Sequence, residues 1–550
     1  MKQFLFLFII FILFVGSFLR FYKLDWGGGI YSHPDEYHIA ASVSQLSFPH
    51  QMHPHFFSYG TVTIYLIYFT QELLKIFSSS LNSCPELCRR IGFLVPDPFI
   101  LGRFYSALFS SLTIIIVYKI CRSFMERRFS YLAALLVILT PGLIQQAHFA
   151  TPESALTFFL FGSLLSIIKF LKQGRVLFLV LASVFLGFAL GVKVSSVVFL
   201  LPILAGIIVK FFRKPFHLIL FIIASFAITI ATFAVVAPYV FLDFPAFRSN
   251  LEYEGGLAVG KIPVFYTRQF IDTTPVLFQI EKILPYALGP ILLIFSVLGF
   301  IFIVLSIIKK PKAEPIIVGV AFLSLFIPNA FLFAKWTRFI APTFPFFAIF
   351  AAFFLDRLYA RNRSISNLLT IALLVTTLLW TAAFFSIYLH PDVRITASNW
   401  IERNFPENST ILIESGNMID IPLKGNFKRV GFDFYNLEED TETRSKIVAG
   451  LEETDYFLIQ SRRVFMNHQR LPTLYPKTAS FYNSLFDNKL GFEQVQEFHS
   501  YPMLELGNFK LEIPDETAEE TWSVFDHPVI RIFKKTKQLS KENYEKLFEN

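Results

Sequence analysis

Eleven apolar runs, of about the length a helix needs to cross the ~30 Å hydrocarbon core of a bilayer, lie along residues 4–389, joined mostly by short connectors. They cover 4–19, 99–121, 130–147, 155–171, 176–190, 194–212, 218–241, 286–308, 316–334, 339–355 and 368–389. A backbone in lipid must satisfy its own hydrogen bonds, so the chain is constrained to a bundle of membrane helices. A content of 54% hydrophobic and 16% charged residues excludes a soluble protein. The formal charge of +8 sits in short connectors rather than in a basic stripe, so no nucleic-acid partner is expected.

The basic connectors 122–128, 169–175, 210–214, 309–312 and 357–363 are expected in the cytoplasm, which places the N-terminus inside. Residues 4–19 have the charged start of a secretion signal, but Val15-Gly16-Ser17 is followed by Phe18, Leu19 and Arg20 rather than a cleavage site. An uncleaved helix is expected. A crossing by residues 56–77 would invert everything after it, so this stretch reads as a helix at the outer interface, within a first external loop over 21–98. A twelfth crossing is the competing reading. Of the three cysteines, Cys84 and Cys88 fall in that loop, where a disulfide and two free thiols are both compatible with the spacing.

After Leu389 the composition turns polar. Helical patterns over 395–404 and 441–451 alternate with strand patterns over 410–414, 455–460 and 529–533, which predicts a soluble three-layered α/β domain over 390–550 outside the membrane. The fold class expected is therefore a polytopic α-helical membrane protein of about eleven spans with a C-terminal α/β domain.

Pro34-Asp35-Glu36 stands in a His-rich stretch beside the first run, and ionisable groups so close to lipid tend to mark chemistry. Under the assigned topology Arg103, His148, Glu153, Lys193, Lys335 and Arg338 lie near helix ends on the same outer side. A second external loop over 242–284 adds Arg268, with Glu252, Glu254, Lys261 and Asp272, and its length suits substrate gating. Carboxylates, fixed cations and a greasy approach suit group transfer from a lipid phosphate. A carboxylate removes a proton from the acceptor hydroxyl, and Arg and Lys hold the leaving phosphate. His33, His38, His50, His53 and His55 raise a metal-dependent hydrolase as an alternative, although no His-Glu-x-x-His pattern is present. A transporter would place charge at mid-membrane and show duplicated halves, and neither is visible.

The order of motifs resembles the GT-C glycosyltransferases that use polyprenyl-phosphate sugars, in the group similar to protein O-mannosyltransferases and aminoarabinose transferases. The matching pieces are Pro34-Asp35-Glu36, the stretch from Gly102-Arg103 to Tyr118, Thr140-Pro141 leading to Ala150-Thr151-Pro152-Glu153, and Gly191-Val192-Lys193. Asp272-Thr273-Thr274-Pro275 before Leu288-Gly289, and Arg338 with Pro342 and Pro345, complete the set.

The resemblance implies Asp35 as catalytic base with Glu36 beside it. Glu153, where relatives often have Asp, joins His148, His33 and His38 as candidates to position acceptor or sugar. Lys193, Arg268, Arg338 and Arg103 become candidates for the lipid phosphate. It also implies inversion at the anomeric carbon without a bound metal. The expected partners are a polyprenyl-phosphate sugar donor, membrane lipid and a protein, glycolipid or glycan acceptor, at the plasma membrane. An oligosaccharide ligase is the nearest enzymatic alternative.

Overall fold

The computed structural model describes residues 14–81, 96–415, 419–438 and 441–548, with the side chains of 78–81, 506 and 547 left aside. Cys84, Cys88 and residues 4–13 of the first apolar run lie outside the described residues. The chain divides into two compact units. The first comprises residues 1–24, 35–262 and 273–381, and the second 25–34, 263–272 and 382–550.

In the first unit, eight helices among the described residues are long and apolar enough to span a membrane. They are Pro98–Cys121, Glu153–Gln173, Val194–Phe211, Pro215–Val236, Pro290–Lys309, Ala313–Phe331, Thr337–Tyr359 and Arg363–Leu389. The last of these runs on into the second unit. A ninth span is available if Arg127–Ile138 and Pro141–His148 count as one broken helix. Val176–Val192 is apolar but shorter, and Thr61–Leu81, which contains most of the expected interface segment, is not among the eight. Each of the ten apolar runs expected after residue 98 thus has a helical counterpart.

Lipid-facing surface and core separate as the helical period requires. On Pro215–Val236 the exposed side chains Ile219, Ile223, Phe226 and Ile230 repeat at intervals of three and four. The span Thr337–Tyr359 is instead almost wholly buried. Two of these helices meet backbone to backbone at Gly299, where an added Cβ would overlap the Phe350 carbonyl, and Ser296 Oγ donates to Phe347 O at 2.8 Å. Small residues of this kind let membrane helices approach closely.

The broken helix bends by 50° at Thr140-Pro141. Proline cannot donate to the carbonyl four residues back, which here is that of Val137. Arg20, buried in the bundle, fills the gap. Its guanidinium donates to Val137 O (3.0 Å), Ile138 O (3.4 Å), Gly16 O (3.1 Å) and Ser110 Oγ (2.8 Å). The break carries the chain into Ala150 and Glu153, both of which serve the site described below.

The second unit is built on a five-stranded sheet in the order β2-β1-β3-β7-β4, where β1 is Thr410–Glu414, β2 Lys428–Phe432, β3 Tyr456–Ile459, β4 Phe492–Phe498 and β7 Ile530–Lys535. β1 pairs in parallel with β2 and β3, whereas β7 is antiparallel to β3 and β4. Successive side chains fall on opposite faces. Leu412, Phe457 and Phe533 join one core with Ile447, Leu451 and Phe481; Ile411, Leu458 and Ile532 join another with Val393, Ala397 and Ile401. The sheet thus carries helices on both faces, the three-layered α/β arrangement the residue pattern predicts. A separate hairpin joins β5 (Met503–Leu506) to β6 (Phe509–Glu512).

The loop segment 263–272 is held inside this second unit. Arg470 donates to the carbonyls of Ile271 (3.0 Å), Arg268 (3.2 Å) and Gln269 (3.3 Å). Gln269 also pairs with the Glu519 carboxylate at 2.8 Å and accepts from the Glu520 N–H at 3.0 Å.

Candidate active site

Helix Pro34–Ser44 starts at a proline, which fits a first turn where no N–H donor is needed, and places Asp35 and Glu36 at its positive end. Neighbours on a helix point about 100° apart. The two acids therefore part company.

Asp35 Oδ2 accepts from the Tyr59 hydroxyl at 2.6 Å and from Arg338 Nη1, and the same Nη1 donates to Tyr59 Oη at 2.8 Å. The three groups form a closed triangle. The Asp35 and Arg338 side chains keep 14% and 22% exposure, so a substrate can reach them. Burial pushes the Tyr59 phenol well above its usual range; the Arg338 cation pulls it back, while the Asp35 and Glu153 carboxylates push it further up. Tyr59 thus stays protonated and remains the donor to Asp35.

Glu36 turns inward and is fully buried against Arg103. Arg103 Nε donates to Oε1 at 2.7 Å and Nη2 to Oε2 at 2.8 Å, and the Ala150 N–H adds a 2.8 Å bond to Oε1. Arg103 Nη1 also donates to Leu24 O at 2.8 Å. This planar two-pronged pair ties the acidic helix to the span Pro98–Cys121 and to the chain after the broken helix. Glu36, expected beside Asp35, and Arg103, expected at a phosphate, thus lie apart from the Asp35–Tyr59–Arg338 triangle in this structure. Both groups are engaged with each other inside the bundle.

Lys193 follows the end of helix Val176–Val192 and reaches Glu153 Oε1 at 3.2 Å. Its ammonium lies 5.7 Å from the Tyr59 ring centre and 4.8 Å from that of Phe339. Gly60 makes this proximity possible, because its N–H donates to Val192 O at 2.9 Å while a Cβ there would collide with the Gly191 carbonyl. The loop carrying Tyr59 is thereby seated on the helix end that carries Lys193. Glu153 Oε2 is buried without a hydrogen-bond partner. Asp35, Arg338, Lys193 and Glu153, four residues expected in the site, converge through Tyr59, which sequence reasoning missed. Its only signal was Ser58-Tyr59-Gly60 interrupting the 56–77 apolar run.

The remaining candidates lie elsewhere. His148 is buried with its ring nitrogens at 2.9 Å from Ile144 O of its own helix and 3.2 Å from Tyr22 O in the turn after the first helix. The His38 ring stacks near Phe56, with centres 6.0 Å apart. His33 belongs to the second unit, its ring 4.3 Å from that of Phe525. Arg268 also belongs there, donating to Tyr435 O at 2.9 Å and lying 2.6 Å from His468 Nε2. Burial, with the Arg268 cation, pushes His468 down to about 4 against the opposing pull of the Val464 carbonyl. The neutral ring therefore accepts from Arg268, whose fork is occupied within its own unit.

A divalent metal fits this set poorly. The Glu36 oxygens are taken by Arg103 and Ala150, Asp35 by Arg338 and Tyr59, and His53 by Asp243 at 3.1 Å. Among the described residues no group of three or more His, Cys, Asp or Glu side chains is arranged to hold a metal ion.

Residues 87–250 match the family model described as dolichyl-phosphate-mannose-protein mannosyltransferase. The oligosaccharyltransferase of Archaeoglobus fulgidus, tethered with an acceptor peptide, superposes with a TM-score of 0.53 at 13% identity, covering 96% of this chain and 88% of its own. The chain has the GT-C fold. The archaeal oligosaccharyltransferase AglB from Archaeoglobus fulgidus, in complex with an inhibitory peptide and a dolichol-phosphate, gives 0.50 at 12% identity, covering 86% of this chain and 71% of its own. ArnT from Cupriavidus metallidurans in the apo state gives 0.50 at 12% identity, covering 95% of this chain and 97% of its own. No curated protein sequence matches the chain. The GT-C fold expected from the motif order is thus present.

Proposed function

We propose that the protein is a membrane glycosyltransferase that moves a sugar from a polyprenyl-phosphate carrier to an acceptor hydroxyl at the outer face of the plasma membrane. The observation that carries this reading is the triangle of Asp35, Tyr59 and Arg338 with Lys193 beside it. It joins one base to two cations at the end of a helix bundle. The family match over 87–250 and the dolichol-phosphate bound by the archaeal enzyme support a lipid phosphate as the donor's leaving group.

Asp35 takes the proton of the acceptor hydroxyl as that oxygen attacks the anomeric carbon from the face opposite the phosphate. The bond from carbon to phosphate oxygen breaks, and the polyprenyl phosphate leaves with its electron pair. Direct displacement by one base inverts the anomeric centre. Arg338 and Lys193 offset the charge that grows on the phosphate.

A carboxylate paired with a guanidinium is a weak base, because the cation favours its charged form. Asp35 is paired with Arg338 here. A donor phosphate competes for the Arg338 fork, and once Arg338 turns to it, Asp35 is released to accept a proton. Tyr59 keeps Asp35 oriented during the exchange. Base strength and donor occupancy are thereby linked. A metal-dependent hydrolase would need ligands that these engaged acids do not offer, and a transporter would need its charges at mid-membrane rather than at one end.

Deleting the gene and comparing surface glycans by mass spectrometry tests this reading. Wild type is expected to restore the missing sugar, and Asp35→Asn, produced at equal level, to leave it missing. Restoration by Asp35→Asn overturns the assignment.

A further inference from the structure

The β5–β6 hairpin of the second unit stands apart from the five-stranded sheet and has two unlike faces. Its register pairs Met503 with Glu512, Leu504 with Leu511 and Glu505 with Lys510. Side chains alternate along a strand, so Glu505, Lys510 and Glu512 share one face, and Leu504, Phe509 and Leu511 share the other. The polar face is tied back to the domain, with Glu512 3.3 Å from His499 Nε2. On the other face Phe509 is 58% exposed and Leu511 46% exposed. A two-stranded ribbon has little stability of its own in water and needs its apolar face covered.

The base of the hairpin indicates what covers it. The Met503 N–H donates to Ser386 Oγ at 3.1 Å, and Ser386 lies three residues before the end of the span Arg363–Leu389. Those 27 residues measure ~40 Å as a helix, against a hydrocarbon core of ~30 Å. Centred in the bilayer, the helix puts Ser386 at the boundary between acyl chains and headgroups. The hairpin leaves from that level, and its strands of four residues reach only ~13 Å.

We infer that the β5–β6 hairpin is a membrane foot, in which Phe509 and Leu511 insert among the lipid headgroups and upper acyl chains while Lys510 stays at the phosphates. An aromatic ring beside a cation suits that boundary. This inference rests on the membrane placement of the Arg363–Leu389 span and is independent of the transfer chemistry. A foot would fix the height of the C-terminal unit above the bilayer.

The full chain with Cys84→Ser and Cys88→Ser, carrying a polarity-sensitive fluorophore at Phe509→Cys, tests it after reconstitution into phosphatidylcholine and phosphatidylglycerol vesicles. Lys510→Cys serves as the control. The label at 509 is expected to shift its emission to the blue, lose fluorescence to lipids spin-labelled near the headgroup and resist aqueous iodide, while the label at 510 does not shift. Iodide access at 509 equal to that at 510 overturns the inference. Protection from both quenchers overturns it too, because protein then covers the face. Leu511→Trp, read with brominated lipids against the parent chain and its five tryptophans, repeats the lipid arm without a bulky label.

Discussion

Tyr59 donates a 2.6 Å hydrogen bond to Asp35 while accepting one of 2.8 Å from Arg338, so one phenol oxygen touches both the candidate base and the candidate phosphate cation. A hydrogen bond to a charged group is worth ~1.5–3 kcal/mol. Tyr59→Phe keeps the ring beside Lys193 but removes that bond. The turnover number should fall about 10- to 100-fold with a smaller change in the donor KM, as measured by steady-state kinetics on the purified enzyme.

Glu36 and Arg103 should register in stability before they register in chemistry. Removing one partner of a buried pair strands the other charge and costs ~3–5 kcal/mol. Glu36→Gln or Arg103→Met should lower the thermal midpoint in detergent sharply, and the double variant should lose less than the sum of the two. Additive losses would remove the case for a structural clamp.

Arg20 and Pro141 are coupled through the Val137 carbonyl. Arg20→Leu leaves that carbonyl and that of Ile138 unpaired in the bundle, at ~1–3 kcal/mol each. Pro141→Ala restores an N–H at the break and removes the ring that bars a straighter helix, which would bring that donor towards Val137 O. Thermal unfolding should show Arg20→Leu to be destabilising and the added Pro141→Ala to recover part of the loss.

The second unit should lose stability on both sides of neutral pH. Burial opposes charge on His527, but the Asp515 and Asp526 carboxylates on either side outweigh it and raise the ring to about 10. A pKa raised on folding contributes stability that is complete below the unfolded value near 6.5 and is lost as pH rises through about 10. His468 behaves oppositely. Its value of about 4 means stability is complete above 6.5 and declines as pH falls towards 4. Thermal scans across pH should show both limbs, and His527→Asn should flatten only the alkaline one.

Much of this was legible in the residue pattern. Apolar runs report helices directly because each must meet lipid or a neighbouring helix. Asp35, Lys193 and Arg338 were visible as costly charges at helix ends. What stayed hidden depended on direction rather than composition. Asp35 and Glu36 read as one acidic pair until the helix phase sent Glu36 to Arg103. Tyr59 looked like one more aromatic in an apolar stretch, because its role comes from the backbone approach of Gly60 to Gly191 across 131 positions of chain. Arg268 sat in the expected loop, yet residues 263–272 belong to the C-terminal unit, a matter of tertiary packing that no local pattern encodes.

Binding of polyprenyl phosphate to purified Asp35→Asn, measured beside its transfer activity, tests the central claim most directly. If Arg338 is shared between Asp35 and the donor phosphate, a neutral side chain at position 35 frees the guanidinium. The variant should bind polyprenyl phosphate more tightly than wild type while transferring no sugar. Weaker binding, or transfer at the wild-type rate, would contradict the account.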